Sequence, residues 1–237
     1  MLYKKIIILF FFLLTSCSDE VSNRNSQSLD TSFPVAGKYV EGVSYKIVAN
    51  EKTIKDEKSP LGEWVLSVSY PEIEGEIKND IKSKINNSIV TLSKKHRCSV
   101  KGEHTFTSNV KFINSAVFSV NYEAMWYCPP MASPDSTTGA LTFNLNTGDQ
   151  INLELHFIDD EARNAFRTLI IKTLKNKVQS GDTCQKKDKY DYFYKVKDGL
   201  VFVFDVENHV DLGCITDIKI SNNKLSKYLK SDSFLLK

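Results

Sequence analysis

Trp64-Val65-Leu66-Ser67-Val68-Ser69-Tyr70-Pro71-Glu72-Ile73-Glu74-Gly75 decides the fold class of this chain, because its apolar spacing changes partway along. Trp64, Leu66, Val68 and Tyr70 recur every second residue, the period of a strand with one buried face. Pro71, which has no N–H to give a ladder, is read as its end. The spacing then becomes four. Ile73, Ile77, Ile81, Ile85 and Ile89, continued by Leu92, form one stripe among Lys, Asn and Ser, which predicts an amphipathic helix over about 73–95. Isoleucine is a middling helix former, so burial of the stripe has to hold such a helix together.

Working outward, Tyr45–Val48 predicts a short first strand, followed by the charged stretch Glu51–Lys58. Two strands are predicted after the helix, at about 98–108 and 115–127, the second from the alternation of Phe118, Val120, Tyr122, Ala124 and Trp126. Pro129-Pro130 stops it, and 129–138 reads as a polar loop. Leu141, Phe143 and Leu145 lead into Asn146-Thr147-Gly148-Asp149, with Ile151, Leu153 and Leu155 returning as a hairpin. Asp159 or Asp160 caps a second helix to about Gln179, with an inward stripe of Ala162, Phe166, Leu169, Ile170, Leu174 and Val178 and with Gly181 at its C-terminal end. Strands at Tyr192–Val196 and Leu200–Asp205 flank an Asp198-Gly199 turn, a further strand lies near Ile215–Ser221, and a short helix covers Lys224–Leu229. The expected class is α+β: mostly antiparallel sheets, each covered by an amphipathic helix, and stapled by disulfides.

The N-terminus carries an address. Lys4-Lys5, an apolar run from Ile6 to Leu14 and small residues before Cys17 mark a secretory signal over residues 1–16, too short to span a bilayer. Leu14-Thr15-Ser16-Cys17 resembles the lipobox of bacterial lipoproteins, which implies lipidation of Cys17, a membrane anchor, and an envelope location. Ser18 in place of an aspartate implies the outer membrane, facing the periplasm, in a diderm host. Residues 17–40, rich in Ser, Asn and Asp, read as a flexible tether. Removing residues 1–16 takes away Lys4 and Lys5 and leaves the 29 acidic residues matched by as many basic ones. A neutral chain is not built for nucleic acid, which requires concentrated basic charge. Lys94-Lys95-His96-Arg97 reads as a helix end, where cations oppose the dipole. The remaining cysteines, Cys98, Cys128, Cys184 and Cys214, are even in number, and in an exported protein predict two disulfides. Local pairing is expected: Cys98 and Cys128 close the open end of the predicted hairpin, and Cys184 pairs with Cys214.

Val68-Ser69-Tyr70-Pro71-Glu72-Ile73-Glu74-Gly75 with its following helix resembles the opening of the extracytoplasmic domain shared by the anti-sigma factor RsiV and some peptidoglycan deacetylases, the DUF4163 and DUF3298 pair. Leu141–Ile151, Asp198–Phe204, and Ile218–Ser221 with Leu225–Leu229 resemble the second half, and the likeness covers about 61–230. It implies an N-terminal half over 41–135, a C-terminal half over 136–237, and lysozyme as a class of partner. Two stretches depart from the pattern. Thr138-Gly139-Ala140-Leu141 keeps Gly-Ala without the preceding His, and Val206–Cys214 replaces a tyrosine, alanine and proline segment.

Chemistry-bearing patterns are sparse. The histidines, His96, His104, His156 and His209, show no metal-ligand spacing, and neither a nucleophile elbow nor a phosphate-cradling glycine loop occurs. A non-catalytic protein without metal or cofactor is therefore expected. Trp126-Tyr127-Cys128-Pro129-Pro130-Met131 is the most ligand-like stretch: Tyr127 and Met131 are candidate binding residues, while Trp126 is weighed mainly as the end of a core strand. Tyr190, Tyr192, Phe193 and Tyr194 read as strand packing. The carboxylates Glu72, Glu74 and Glu76, and Asp159, Asp160 and Glu161, are either helix-entry charges or a docking face for a basic protein. Three function classes follow: a module binding a lysozyme-like or other peptidoglycan-active protein, a structural or glycan-binding envelope lipoprotein, and a cell-wall hydrolase with a site not legible in the letters.

Overall fold

The Trp64–Tyr70 alternation is a strand, and it does not stop at Pro71. In the computed structural model, which describes residues 42–55, 63–95, 97–98, 102–131, 133–178, 187–204 and 216–237, strand β2 (Glu63–Gly75) runs through the proline. It pairs antiparallel with β1 (Val43–Lys55) along its full length, so the first strand is far longer than the expected Tyr45–Val48. On its other side, β3 (Glu103–Ile113) pairs with β2 in parallel, over Leu66–Ser69 only. Beyond that, Asn86 takes over. The Ile73 N–H donates to Asn86 Oδ1 at 2.8 Å, and Asn86 Nδ2 donates to the Ile73 carbonyl at 3.2 Å. Ile73 therefore turns its backbone polar groups away from β1, and Pro71, two residues earlier, shares that direction. The proline's missing N–H takes no bond from the β1 ladder.

The helix starts later than its isoleucine stripe. Gly75 has φ +93°, and a Cβ there would collide with the Gly42 carbonyl, which accepts the Glu76 N–H at 2.6 Å. That closure ends β2 and leaves Ile73 as a buried strand residue. The helix α1 spans Asn79–Lys94, not 73–95. Its Ile81, Ile85 and Ile89 are buried in one cluster with Ile73, Phe118, Val120 and Phe143.

The hairpin of β3 and β4 (Val117–Tyr127) turns at Asn114, whose Oδ1 accepts from the N–H groups of Ala116 and Val117 at 2.9 and 2.7 Å. β3 thus lies five residues later than the expected 98–108. Cys98 is bonded to Cys128 at the open end of this hairpin, as the spacing predicts. β5 (Asp135–Asn144) completes the sheet in the order β1-β2-β3-β4-β5, consuming the end of the expected 129–138 loop. Because β5 is hydrogen-bonded to β4, a division of the chain at residue 136 does not separate the two sheets. Gly139 lies opposite Tyr122, whose ring fills the space a side chain would need.

The predicted return strand of the next hairpin is absent. After a turn at Gly148, φ +72°, a single bridge joins Phe143 to Gln150, and Leu153–His156 coil into a 3-10 turn. Helix α2 (Asp160–Lys177) is capped by Asp159, whose Oδ1 accepts the Ala162 N–H at 2.7 Å. Its Phe166, Ile170 and Leu174 are buried with Leu200, Phe202, Phe204, Ile218 and Ile220. These last belong to a second, antiparallel sheet of β6 (Tyr192–Val196), β7 (Gly199–Phe204) and β8 (Thr216–Ser221), close to expectation. α3 (Asn222–Leu225) follows directly, two residues before the predicted helix. Residues 1–41, Cys184, Cys214, Gly181, His96, His209 and the Val206–Cys214 departure lie outside the described residues.

The two sheets meet at β5 and β6 through a buried polar chain. The Lys195 N–H donates to Ser119 Oγ at 2.9 Å, Ser119 and Thr142 hydroxyls lie 2.7 Å apart, and Thr142 Oγ1 donates to the Phe193 carbonyl at 3.2 Å. Such a chain pins the register of β6 against β4 and β5, because an unmatched buried polar group is costly.

Candidate functional site

Where β5 and β6 diverge, a cleft of about 410 Å³ opens. Its walls are Ala140 and Thr142 of β5, the Gln150–Glu154 segment, Arg167 of α2 and the Asp188–Phe193 approach to β6. Local chemistry shapes it. Asn152 begins the 3-10 turn, its Oδ1 accepting the Glu154 N–H at 3.0 Å, and this presents Glu154 to α2. There Glu154 Oε2 meets Arg167 Nη2 at 3.0 Å and Arg163 Nε at 3.4 Å. Arg163 also pairs with Asp160 one turn back. The Tyr190 ring packs edge-on against Phe202 at 4.9 Å. Burial, then the neighbouring Glu154 charge, push the Tyr190 hydroxyl well above its ordinary pKa, so it stays protonated at neutral pH. On the opposite rim Lys187 Nζ holds both Asp191 oxygens, at 2.9 and 3.1 Å.

The residues singled out in the sequence gather elsewhere. Trp126 is half-buried against the cluster of Val68, Phe106, Tyr122 and Ala124, as a strand end would be. Tyr127 is half-buried too, its ring 6.0 Å from that of buried Trp64. Met131 folds back over the disulfide turn: its Sδ accepts the Cys128 N–H at 3.4 Å, and its own N–H donates to the Cys128 carbonyl at 2.9 Å. Within Trp126–Met131, Pro129 and Pro130 are the exposed residues.

Glu72, Glu74, Asp159 and Asp160 of the acidic clusters have local partners. Lys46 on β1 reaches Glu72 at 3.0 Å and Glu74 at 2.8 Å, and these raise its pKa. Asp159 caps α2, and Asp160 pairs with Arg163. Both described histidines are placed structurally. His104 is buried in β3. His156 Nδ1 lies 3.1 Å from Ser233 Oγ, its ring 4.8 Å from Phe234, and burial followed by Lys230 lowers its pKa.

Sequence reasoning missed the cleft. Tyr190, Tyr192 and Phe193 were legible only as strand residues, and Glu154 fell in a predicted strand. No spacing links Gln150–Glu154 to Asp188–Phe193 across the intervening helix.

No protein-family model and no curated protein matches this sequence. Solved structures do. A DUF3298 family protein from Bacteroides fragilis superposes with a TM-score of 0.61 at 14% identity, covering 82% of this chain and 96% of its own. The fold is the DUF3298 fold. A second, from Pseudomonas aeruginosa PAO1, gives 0.60 at 9% identity, covering 83% of this chain and 97% of its own.

Proposed function

We propose that this protein is a lipid-anchored, non-catalytic binding protein of the cell envelope, directed at a lysozyme-like, peptidoglycan-active protein. The observation that carries the non-catalytic reading is how Glu154 is held. Its carboxylate is tied to the Arg167 and Arg163 guanidiniums, an arrangement that uses it as a structural clamp rather than as a group turned toward a substrate. The same clamp makes a rigid recognition surface. The DUF3298 fold is consistent with the finer resemblance to the DUF4163 and DUF3298 pair and to RsiV, from which the partner class comes. Lipidation of Cys17, the periplasm-facing location and a Cys184–Cys214 bridge belong to the same proposal.

Lysozyme binding by the full chain in detergent tests the partner. Complex formation at micromolar concentration is expected, weakening as salt rises because lysozyme is a basic protein, and reduced by Tyr127→Ala with Met131→Ala. No detectable binding at tens of micromolar in low salt removes lysozyme as the partner.

A further inference from the structure

We infer that the cleft between β5, the 3-10 turn and the approach to β6 binds a neutral saccharide of one or two rings. This rests on the reading of the chain as a binding protein, but it involves no protein partner. Size is the first argument. About 410 Å³ lies within the span of small-ligand sites, roughly 300–1,000 Å³, and well below what an extended polymer chain would fill.

Charge is the second. The lining carboxylate of Glu154 is matched by Arg167, with Arg163 behind it, and that of Asp191 by Lys187. Asp188 and Lys189 add one charge of each sign. A phosphate or a free amine entering such a balanced site would lose water and meet no surplus of opposite charge. A neutral ligand meets no such penalty.

Hydrogen-bonding capacity is the third. The Gln150 amide and the Nδ2 of Asn152, whose Oδ1 is already committed to Glu154, present donors and an acceptor from one wall. Asp188 accepts from the other wall. Between them stand Tyr190, Tyr192 and Ile151, surfaces suited to the C–H face of a pyranose. A purely apolar ligand would strand the amides and carboxylates without water. A sugar ring, with hydroxyls around its edge and C–H groups on its face, satisfies both.

The test is calorimetric titration of the full chain in an amine-oxide detergent, since sugar-headed detergents would compete. The probes are cellobiose, maltose and N,N′-diacetylchitobiose, with glucose 6-phosphate and glucosamine as charged controls. At least one neutral disaccharide should bind saturably with a Kd below about 10 mM, and the charged controls more weakly. Gln150→Ala and Asp188→Ala, both at exposed positions, should each weaken that binding about fivefold, the loss of one hydrogen bond, with unchanged denaturation midpoints. Exposed Lys224→Ala, on α3, should leave it unaltered. Absence of saturable binding by every neutral probe, preference for a charged control, or equal binding by the Gln150→Ala/Asp188→Ala double variant overturns the inference. The titration contains no lysozyme and the lysozyme assay contains no sugar, so each can fail alone.

Discussion

Replacing Lys195 with methionine should stabilise this protein at neutral pH and remove one component of its pH dependence. Lys195 lies on β6 with no exposed surface. Its ammonium has Asn222 Oδ1 at 3.3 Å and the Phe112 ring at 5.2 Å, and the nearest influential carboxylate, Asp198, is already engaged by Lys219 at 2.7 Å. Burial, only partly opposed by Asp198, brings the amine from 10.5 down to about 8. A displacement of that size corresponds to about 3 kcal/mol at 25 °C. The folded state binds the proton less tightly than the unfolded chain. The penalty is therefore full below pH 8, fades as pH rises from 8 to 10.5, and is gone above, so the Lys195 contribution makes stability increase across that window. Methionine keeps most of the aliphatic stem but leaves Asn222 without its donor, a loss of about 1 kcal/mol. The net gain for Lys195→Met at pH 7 is then about 2 kcal/mol, shrinking toward pH 10. Tyr190 and Tyr194, whose pKa values burial raises, act with the opposite sign above pH 10 in both proteins and cancel in the difference. Urea unfolding followed by Trp64 and Trp126 fluorescence, at intervals from pH 7 to 10, measures it. A variant less stable than wild type at pH 7, or a difference that does not shrink with pH, refutes the reasoning.

Cys98→Ala with Cys128→Ala should cost about 3–4 kcal/mol by the loop-entropy estimate for a separation of 30 residues, read as a lower urea midpoint. Gly75→Ala should cost more than about 2 kcal/mol in the same assay, because it adds the strain of φ +93° to a collision with the Gly42 carbonyl. A near-neutral effect would mean that the β1–β2 end relaxes freely. Cys17→Ala should move the protein from the membrane to the soluble fraction on cell fractionation, and unchanged membrane association would rule out the lipid anchor.

What the sequence determined by itself was local and periodic. A two-residue alternation from Trp64 and a four-residue recurrence of isoleucine each reflect one buried face of one element, so strand and helix are legible without knowing what covers them. The Asp198-Gly199 turn, the Asp159 cap and the Cys98–Cys128 pairing are similarly short-range, each needing only its neighbours or one hairpin. What the tertiary structure decided was long-range. Pro71 stays in its strand because its missing N–H faces away from the β1 ladder, on the side where Asn86 of a later helix bonds Ile73; β1 reaches Lys55 because a long partner lies beside it, although its own letters are charged. Residues 151–155 had strand periodicity, yet β5 has no ladder beyond a single bridge to give them, and they coil instead. Lys195 has the composition of a surface residue and is buried because β6 packs against β3 and β4 of the first sheet, beside Phe112 and Ser119. The cleft brings Gln150–Glu154 against Asp188–Phe193 across a whole helix, and the physical reason it was unreadable is that juxtaposition across that distance is set by packing, which no local period encodes.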